Sequence, residues 1–236
     1  MKIYLSPSDQ VSNPYAYGNT NEAVQCRAIA ASCKTALERC GFEVKTNYSD
    51  GSNAMYERVR ESNDWGADVH VCIHTNAGGG RGCVLFVSTA DGERAKFAVP
   101  VFEEIDAVTL YRSVYGVREK QFYEIRNTRA VCIYCECEFH DSPELAKWIV
   151  ENIATLGEAI CRGICRAANV KYIEKESDDD MTRWKTIDEI PEPYRAMAQR
   201  YLDSGALLGK GGGELDLTED MLRTMEIMRR YFEGEA

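Results

Sequence analysis

The chain has 236 residues, 44% of them apolar and 28% charged, with a net charge of −10. That acidic balance argues against a nucleic-acid partner, because no basic stripe is available to displace backbone counterions. No run of about 18 apolar residues occurs, so no membrane insertion is expected.

The N-terminus enters a strand at once, KIYL at 2–5, with no long apolar stretch of a secretion signal ahead of it. Synthesis in the cytoplasm is the expectation. A polar loop follows, then a helix over 21–40 ended by Gly41, and a second strand over 42–46. A helix at 53–63, strands at 69–74 and 83–88, and a helix at 93–108 continue the pattern. The most apolar stretch, AVCIYCECEF at 130–139, reads as a buried strand, and Pro143 begins a helix running to about 168. This order predicts an α/β fold, a mostly parallel or mixed sheet with helices on both faces. Ligands in such sheets collect at the carboxyl ends of strands.

Residues 1–174 read as the catalytic domain and 175–180, KESDDD, as an acidic linker. Residues 181–236 read as a small α-helical C-terminal domain, of a size that suits oligomerisation or docking. One of its helices starts near Pro191 and a second is opened by Thr218-Glu219-Asp220 after a Gly-rich loop. Residues 176–236 hold 15 acidic against 8 basic residues, so −7 of the −10 lies there, read as solvated surface. Trp184, Tyr194 and Tyr201 could stack on sugars, but so small a unit needs aromatics for its core.

Ten cysteines invite a disulfide or zinc reading that their spacing does not support. Cys26, Cys33 and Cys40 recur every seven residues on a predicted helix, as small core-facing hydrophobes. Cys161 and Cys165 are an i,i+4 pair on another helix. Cys132 and Cys135 would point to opposite faces of a strand. Buried, reduced thiols fit a cytoplasmic origin.

Three polar residues stand out. A carboxylate at Glu136, in the apolar strand, loses roughly several kcal/mol of hydration unless a partner compensates. Folding gives no reason for it, whereas a hydrolase holds a general base of raised pKa in this way. His74 closes the third strand, shares a face with His70 and Cys72, and runs into TNAGGGRG, whose glycines permit close approach of a ligand. Glu22 opens the first helix, where Asn19-x-x-Glu22 is also readable as a variant capping box. A His, a Glu and a nearby unliganded Glu suit a hydrolytic zinc site with an open water position.

These residues resemble the zinc-dependent N-acetylmuramoyl-L-alanine amidases of the amidase-3 type, found in phage and prophage endolysins and clostridial autolysins. The likeness runs from residue 2 to about 168. It rests on NEA at 21–23, CIHTNA at 72–77, RGCVLFV at 81–87, YEIRNTRAVCIYCECEFHD at 123–141 and SPELAKWI at 142–149. The resemblance implies Glu22 and His74 as zinc ligands and Glu136 as the catalytic carboxylate. It also implies Arg126, Asn127 and Asn76 as substrate-binding residues. The reaction implied is hydrolysis of the amide between N-acetylmuramic acid and L-alanine in peptidoglycan. The acidic tail is loosely similar to S-layer-homology-type wall-binding modules and to C-terminal segments of phage lysins.

One departure matters. The family's first strand usually ends in a Gly-His-Gly-like turn that supplies a histidine ligand, whereas this chain has SPSDQ at 6–10. The first ligand is then Gln10, preferred because the SPS-x-Gln turn resembles a clostridial-type branch, or else Asp9 or His140. The missing histidine also leaves two alternatives: an inactive peptidoglycan-binding relative, or another metal-dependent hydrolase on the same fold. Without an export signal the enzyme is expected to reach the wall through a membrane lesion or on lysis. Glu174-Lys175-Glu176 can be encoded by a ribosome-binding sequence shortly before Met181. An internal start there would yield a free C-terminal fragment able to assemble with the full chain, beside a homo-oligomer.

Overall fold

The computed structural model describes residues 1–49, 54–90, 92–175, 182–207 and 214–233. The chain divides into two compact units, Met1–Ile173 and Glu174–Ala236. Met181, the linker residues 176–180 and much of the Gly-rich loop lie outside the described residues. No helix among the described residues is long and apolar enough to cross a membrane.

The first unit runs β1 (Lys2–Pro7), α1 (Glu22–Arg39), β2 (Glu43–Thr46), α2 (Ala54–Trp65), β3 (Val69–Asn76), β4 (Val84–Val87) and α3 (Gly92–Val108). It continues with β5 (Val117–Glu119), α4 (Tyr123–Asn127), β6 (Val131–Phe139), α5 (Pro143–Glu151) and α6 (Ile153–Ala168). The strands form one sheet in the order β2-β1-β3-β6-β4-β5. The first four are mutually parallel, and β4 runs antiparallel to β6 with β5 parallel to β4. The fold is therefore mixed α/β, as the strand–helix alternation predicts.

Period-two alternation divides the strand residues between two faces. Ile3, Leu5, Val69, Val71, Ile73, Ile133 and Cys135 enter the main core with residues of α1, α3 and α6. Cys72 and Cys132 turn to the other face and pack with Ile125 of α4, Phe86 and Tyr134. The same alternation sends His70, His74 and Glu136 to this second face, which carries the polar residues.

Asn21 caps α1 by accepting from Val24 N–H at 3.0 Å. The cap is thus Asn21, while Asn19 sits at a left-handed φ of 47°, so the Asn19–Glu22 capping box is not formed. The helix predicted over 143–168 is broken. Asn152 leaves the helical region, and its Nδ2 donates to the Trp148 carbonyl at 2.8 Å, competing with the backbone ladder. The short β5 and α4 were not predicted, since so few residues show no periodicity.

Helix α6 lies close against its neighbours through two glycines. A Cβ at Gly163 would meet Val101 Cα at 2.4 Å, and one at Gly157 would meet Cys33 N at 2.7 Å. Both obstacles are backbone atoms, which cannot rotate aside. Gly163→Ala should therefore destabilise the first unit by about 1–3 kcal/mol despite its better helix propensity, as measured by urea unfolding.

In the second unit a 3-10 turn (Ile187–Glu189) precedes α7 (Glu192–Asp203) and α8 (Glu219–Glu233). Ile190, Met197, Ala198, Leu215, Leu217 and Leu222 form its core, and Trp184, Tyr194 and Tyr201 pack against them. Those aromatics serve the core, as the size of the unit requires. Farther along α8, Ile227, Met228, Tyr231 and Phe232 are exposed.

Candidate active site

The site is built where β1, β3 and β6 reach their carboxyl ends. In the β3–β6 register His74 stands opposite Glu136, and the pairing is irregular between His74 and Asn76. Buried Glu22, in the first turn of α1, approaches from the side. Its Oε1 lies 2.8 Å from His74 Nδ1. The Gln10 amide nitrogen lies 3.4 Å from the same ring atom. Asn13 joins the two, donating to Gln10 Oε1 at 2.7 Å and to Glu22 Oε2 at 2.8 Å. Gln10 and Glu22 thus meet the imidazole of a residue 64 and 52 positions away, with Asn13 linking them.

The Tyr134 ring stacks on His74 with centroids 4.4 Å apart, fixing the imidazole plane. His74 Nε2 and Glu136 Oε2 are buried without a hydrogen-bond partner. Orphaned polar atoms are costly and point to something the site is shaped to receive. Burial, partly offset by His74 and reinforced by Glu22, pushes Glu136 from 4.5 up to about 7. Burial also pushes Glu22 up, but the hydrogen bond and charge of His74, with Asn13 and Ser8, hold it below its ordinary value. His74 moves the other way: burial opposes its charged form, but the bond to Glu22 and the charge of Glu136 outweigh this and raise it. The two carboxylates are driven apart, Glu22 held ionised and Glu136 raised toward neutrality.

Of the other candidate ligands, Asp9 borders the same cavity as Gln10 and His74. Asp9 pairs with buried Arg58 at 3.2 Å. His140 Nδ1 bonds Thr75 Oγ1 at 2.9 Å and its ring stacks on Tyr15. Asn76 is half-buried, its Oδ1 accepting from Ala77 N–H at 2.8 Å. Arg126 and Asn127 are exposed on α4, where Asn127 Nδ2 donates to the Tyr123 carbonyl at 2.7 Å.

Behind the site runs a polar network that the sequence reading missed. Arg58 Nε donates to Ser6 Oγ at 2.8 Å, and Ser6 donates to Glu124. His70 bridges Glu124 at 3.3 Å and Ser62 at 2.9 Å. Glu124 is pushed up by burial, yet the bonds and charges of His70, then His74 and Ser6, hold it below its ordinary value. Gln10, Arg58, His74, Glu124 and Tyr134 all border a cavity of about 260 Å³. No periodicity could reveal the network, because its members are up to 118 residues apart in sequence.

The Gly-rich loop is held by two carboxylates of the same chain. Gly78 and Gly79 both donate to Asp141 Oδ2 at 2.7 Å, and Gly82 donates to Glu138 Oε1 at 2.6 Å. These amides are satisfied by the chain's own carboxylates, while Gly79 and Gly80 line a surface pocket with Arg81 and Tyr111. Gly80 also leaves room for the Phe139 ring, which a Cβ would meet at 2.3 Å.

A buried carboxylate of near-neutral pKa opposite a His–Glu pair, whose histidine borders the cavity, fits one class: a hydrolase. Residues 3–166 match the N-acetylmuramoyl-L-alanine amidase family, and the chain belongs to it. It is 28% identical over 180 residues to N-acetylmuramoyl-L-alanine amidase CwlM of Bacillus licheniformis, covering 72% of this chain and 70% of that one. It is 25% identical over 178 residues to the sporulation-specific N-acetylmuramoyl-L-alanine amidase of Bacillus subtilis (strain 168), covering 72% and 69%. The fold matches the N-acetylmuramoyl-L-alanine amidase of Clostridium difficile 630 at a TM-score of 0.65 and 21% identity, over 72% of this chain and 97% of that one. The activity of this family is that of a peptidoglycan amidase, and the matched residues lie within the first unit.

Proposed function

We propose that the chain cleaves the bond between N-acetylmuramic acid and L-alanine with zinc held by Gln10, Glu22 and His74, and Glu136 as general base. The observation that carries this reading is the facing of Glu22, Gln10 and Glu136 about His74, with Glu136 held near pH 7. The donors fit the ion. Two ligands of a tetrahedral zinc stand about 3.3 Å apart at bond lengths near 2.0 Å. The Glu22–His74 pair needs to open by about 0.5 Å, and the Gln10 amide, whose nitrogen lies 3.4 Å from His74 Nδ1, stands within reach of the same position. Ligation by Gln10 also requires its amide to turn, since a zinc ligand is the oxygen.

When bound, zinc would polarise the lactyl carbonyl and acidify a water. The remaining work falls to the chain. Glu136 Oε2 takes the water proton as attack begins and delivers it to the departing L-alanine nitrogen. The stacked Tyr134 holds the His74 ring in one orientation. Arg126, Asn127 and Asn76 are assigned to substrate binding. Residues 1–174 act as the catalytic domain, and 181–236 bind the wall or a second copy. The exposed Ile227, Met228, Tyr231 and Phe232 support that last assignment.

The reading is tested on purified cell walls, with and without added zinc, by titrating newly exposed amino groups. Zinc-stimulated release of L-alanine amino termini is the expected result. Wall binding without release would favour the inactive relative, a reading motivated by Gln10 in place of a histidine. Release of other ends would mark a different hydrolase on this fold.

A further inference from the structure

All ten cysteines are reduced and buried, but they are not evenly distributed. Cys40, which caps α1, faces Cys161 and Cys165, one turn apart on α6. Cys161 Sγ lies 3.8 Å from Cys40 Sγ and 3.9 Å from Cys165 Sγ. All three sulfurs fall within 4.8 Å of one another. Two packed thiols would show such a separation by simple contact. A third sulfur closing the triangle is what a ligand set requires. At a metal–sulfur bond of about 2.3 Å, sulfurs stand about 3.8 Å apart in a tetrahedron and about 4.0 Å apart in a trigonal plane.

Burial pushes the Cys40 thiol up, and the bond to Cys165 together with burial raises Cys161, whereas Cys165 is held down to about 7 by its bond from Cys161. Ile173 N–H donates to Cys40 Sγ at 3.3 Å, a bond that favours the charged sulfur. The adjacent Arg39 guanidinium donates to the Ile173 carbonyl at 2.9 Å and shares its charge with Glu158 at 2.6 Å. Cys40 is 7% exposed, so the group sits just beneath the surface, where an ion can enter. A second thiol pair, Cys72 and Cys132, is 3.9 Å apart. Its third donor, His70, has both ring nitrogens engaged by Ser62 and Glu124, which leaves that group incomplete.

We propose that Cys40, Cys161 and Cys165 form a second metal site, separate from the catalytic one, for a thiophilic divalent ion such as zinc. Three thiols lose their protons as three metal–sulfur bonds form, giving a complex of charge −1, and water completes the tetrahedron. The ion would tie the end of α1 to α6 and to the segment ending at Ile173. This revises the view of these cysteines as core hydrophobes alone.

The test uses the full, reduced chain under anaerobic conditions with cadmium as the probe. Thiolate ligation produces an ultraviolet sulfur-to-cadmium charge-transfer band, which the sulfur-free catalytic site cannot contribute. The expected result is a band that saturates with one equivalent, with protons released, and that is lost in both Cys40→Ser and Cys161→Ser. Cys72→Ser should keep it. Circular dichroism of Cys40→Ser, the variant nearest the surface, separates loss of ligation from loss of fold. A folded wild-type chain without the band would overturn the site, as would a band that survives both substitutions or disappears in Cys72→Ser.

Discussion

Glu136→Gln is expected to lower turnover by about 100- to 10,000-fold, the range for removing a general base. The same substitution should stabilise the metal-free protein above pH 7. Glutamine keeps the size and shape of the side chain but cannot accept the water proton. The stability effect follows from the raised pKa. Below about pH 4.5 Glu136 is protonated in both folded and unfolded chains and has no differential effect. As pH rises from about 4.5 to about 7 the unfolded chain ionises while the folded one resists, so stability falls. The loss is complete above pH 7 and amounts to roughly 3 kcal/mol, at about 1.4 kcal/mol per unit. Glutamine removes this loss because it does not titrate. Thermal melts of chelated wild type and variant should differ by several degrees at pH 8, and the gap should close toward pH 4.5. Identical melts at pH 8 would mean that Glu136 is not held against its solvation. An active, well-folded variant would end its assignment as the base.

That coupling of cost and activity explains which parts of the site were legible in the sequence. Glu136 was visible because an apolar strand gives a carboxylate no folding role. His74 was visible at the end of a strand, beside an asparagine and a glycine loop. Gln10 was visible only against the expected histidine at that turn. Arg58, His70, Glu124 and Glu138 were not, though all are buried. Arg58 and Glu124 lie on helices where charged residues read as solvated, and their burial arises only when α2 and α4 close over the second sheet face. Glu138 follows Glu136 by two residues on the same strand, yet it closes the glycine loop through Gly82, a partner 56 residues away in sequence. The fold class was readable because β and α periods alternate cleanly along the chain. The break at Asn152 was not, because one side-chain hydrogen bond decides it.

The second large effect is on metal retention. A neutral amide oxygen is a poorer zinc ligand than imidazole, so the wild-type chain should lose zinc, and activity with it, on dialysis against a mild chelator. Gln10→His should strengthen zinc binding by about 10-fold or more, a gain of at least about 1.4 kcal/mol. Gln10 is exposed, so an imidazole can be accommodated without repacking, and Asn13 keeps its bond to Glu22 at 2.8 Å. The measurement is zinc content after dialysis at matched chelator concentrations, made in a Cys40→Ser background so that the thiolate group does not contribute, with activity followed in parallel. His140→Ala should leave zinc content unchanged, since that ring is committed to Thr75 and Tyr15. Full zinc occupancy in the dialysed wild type would contradict the weak-ligand assignment. Equal retention in wild type and Gln10→His would remove Gln10 from the ligand set. A loss confined to His140→Ala would transfer the role to that histidine and require the loop around Thr75 to move.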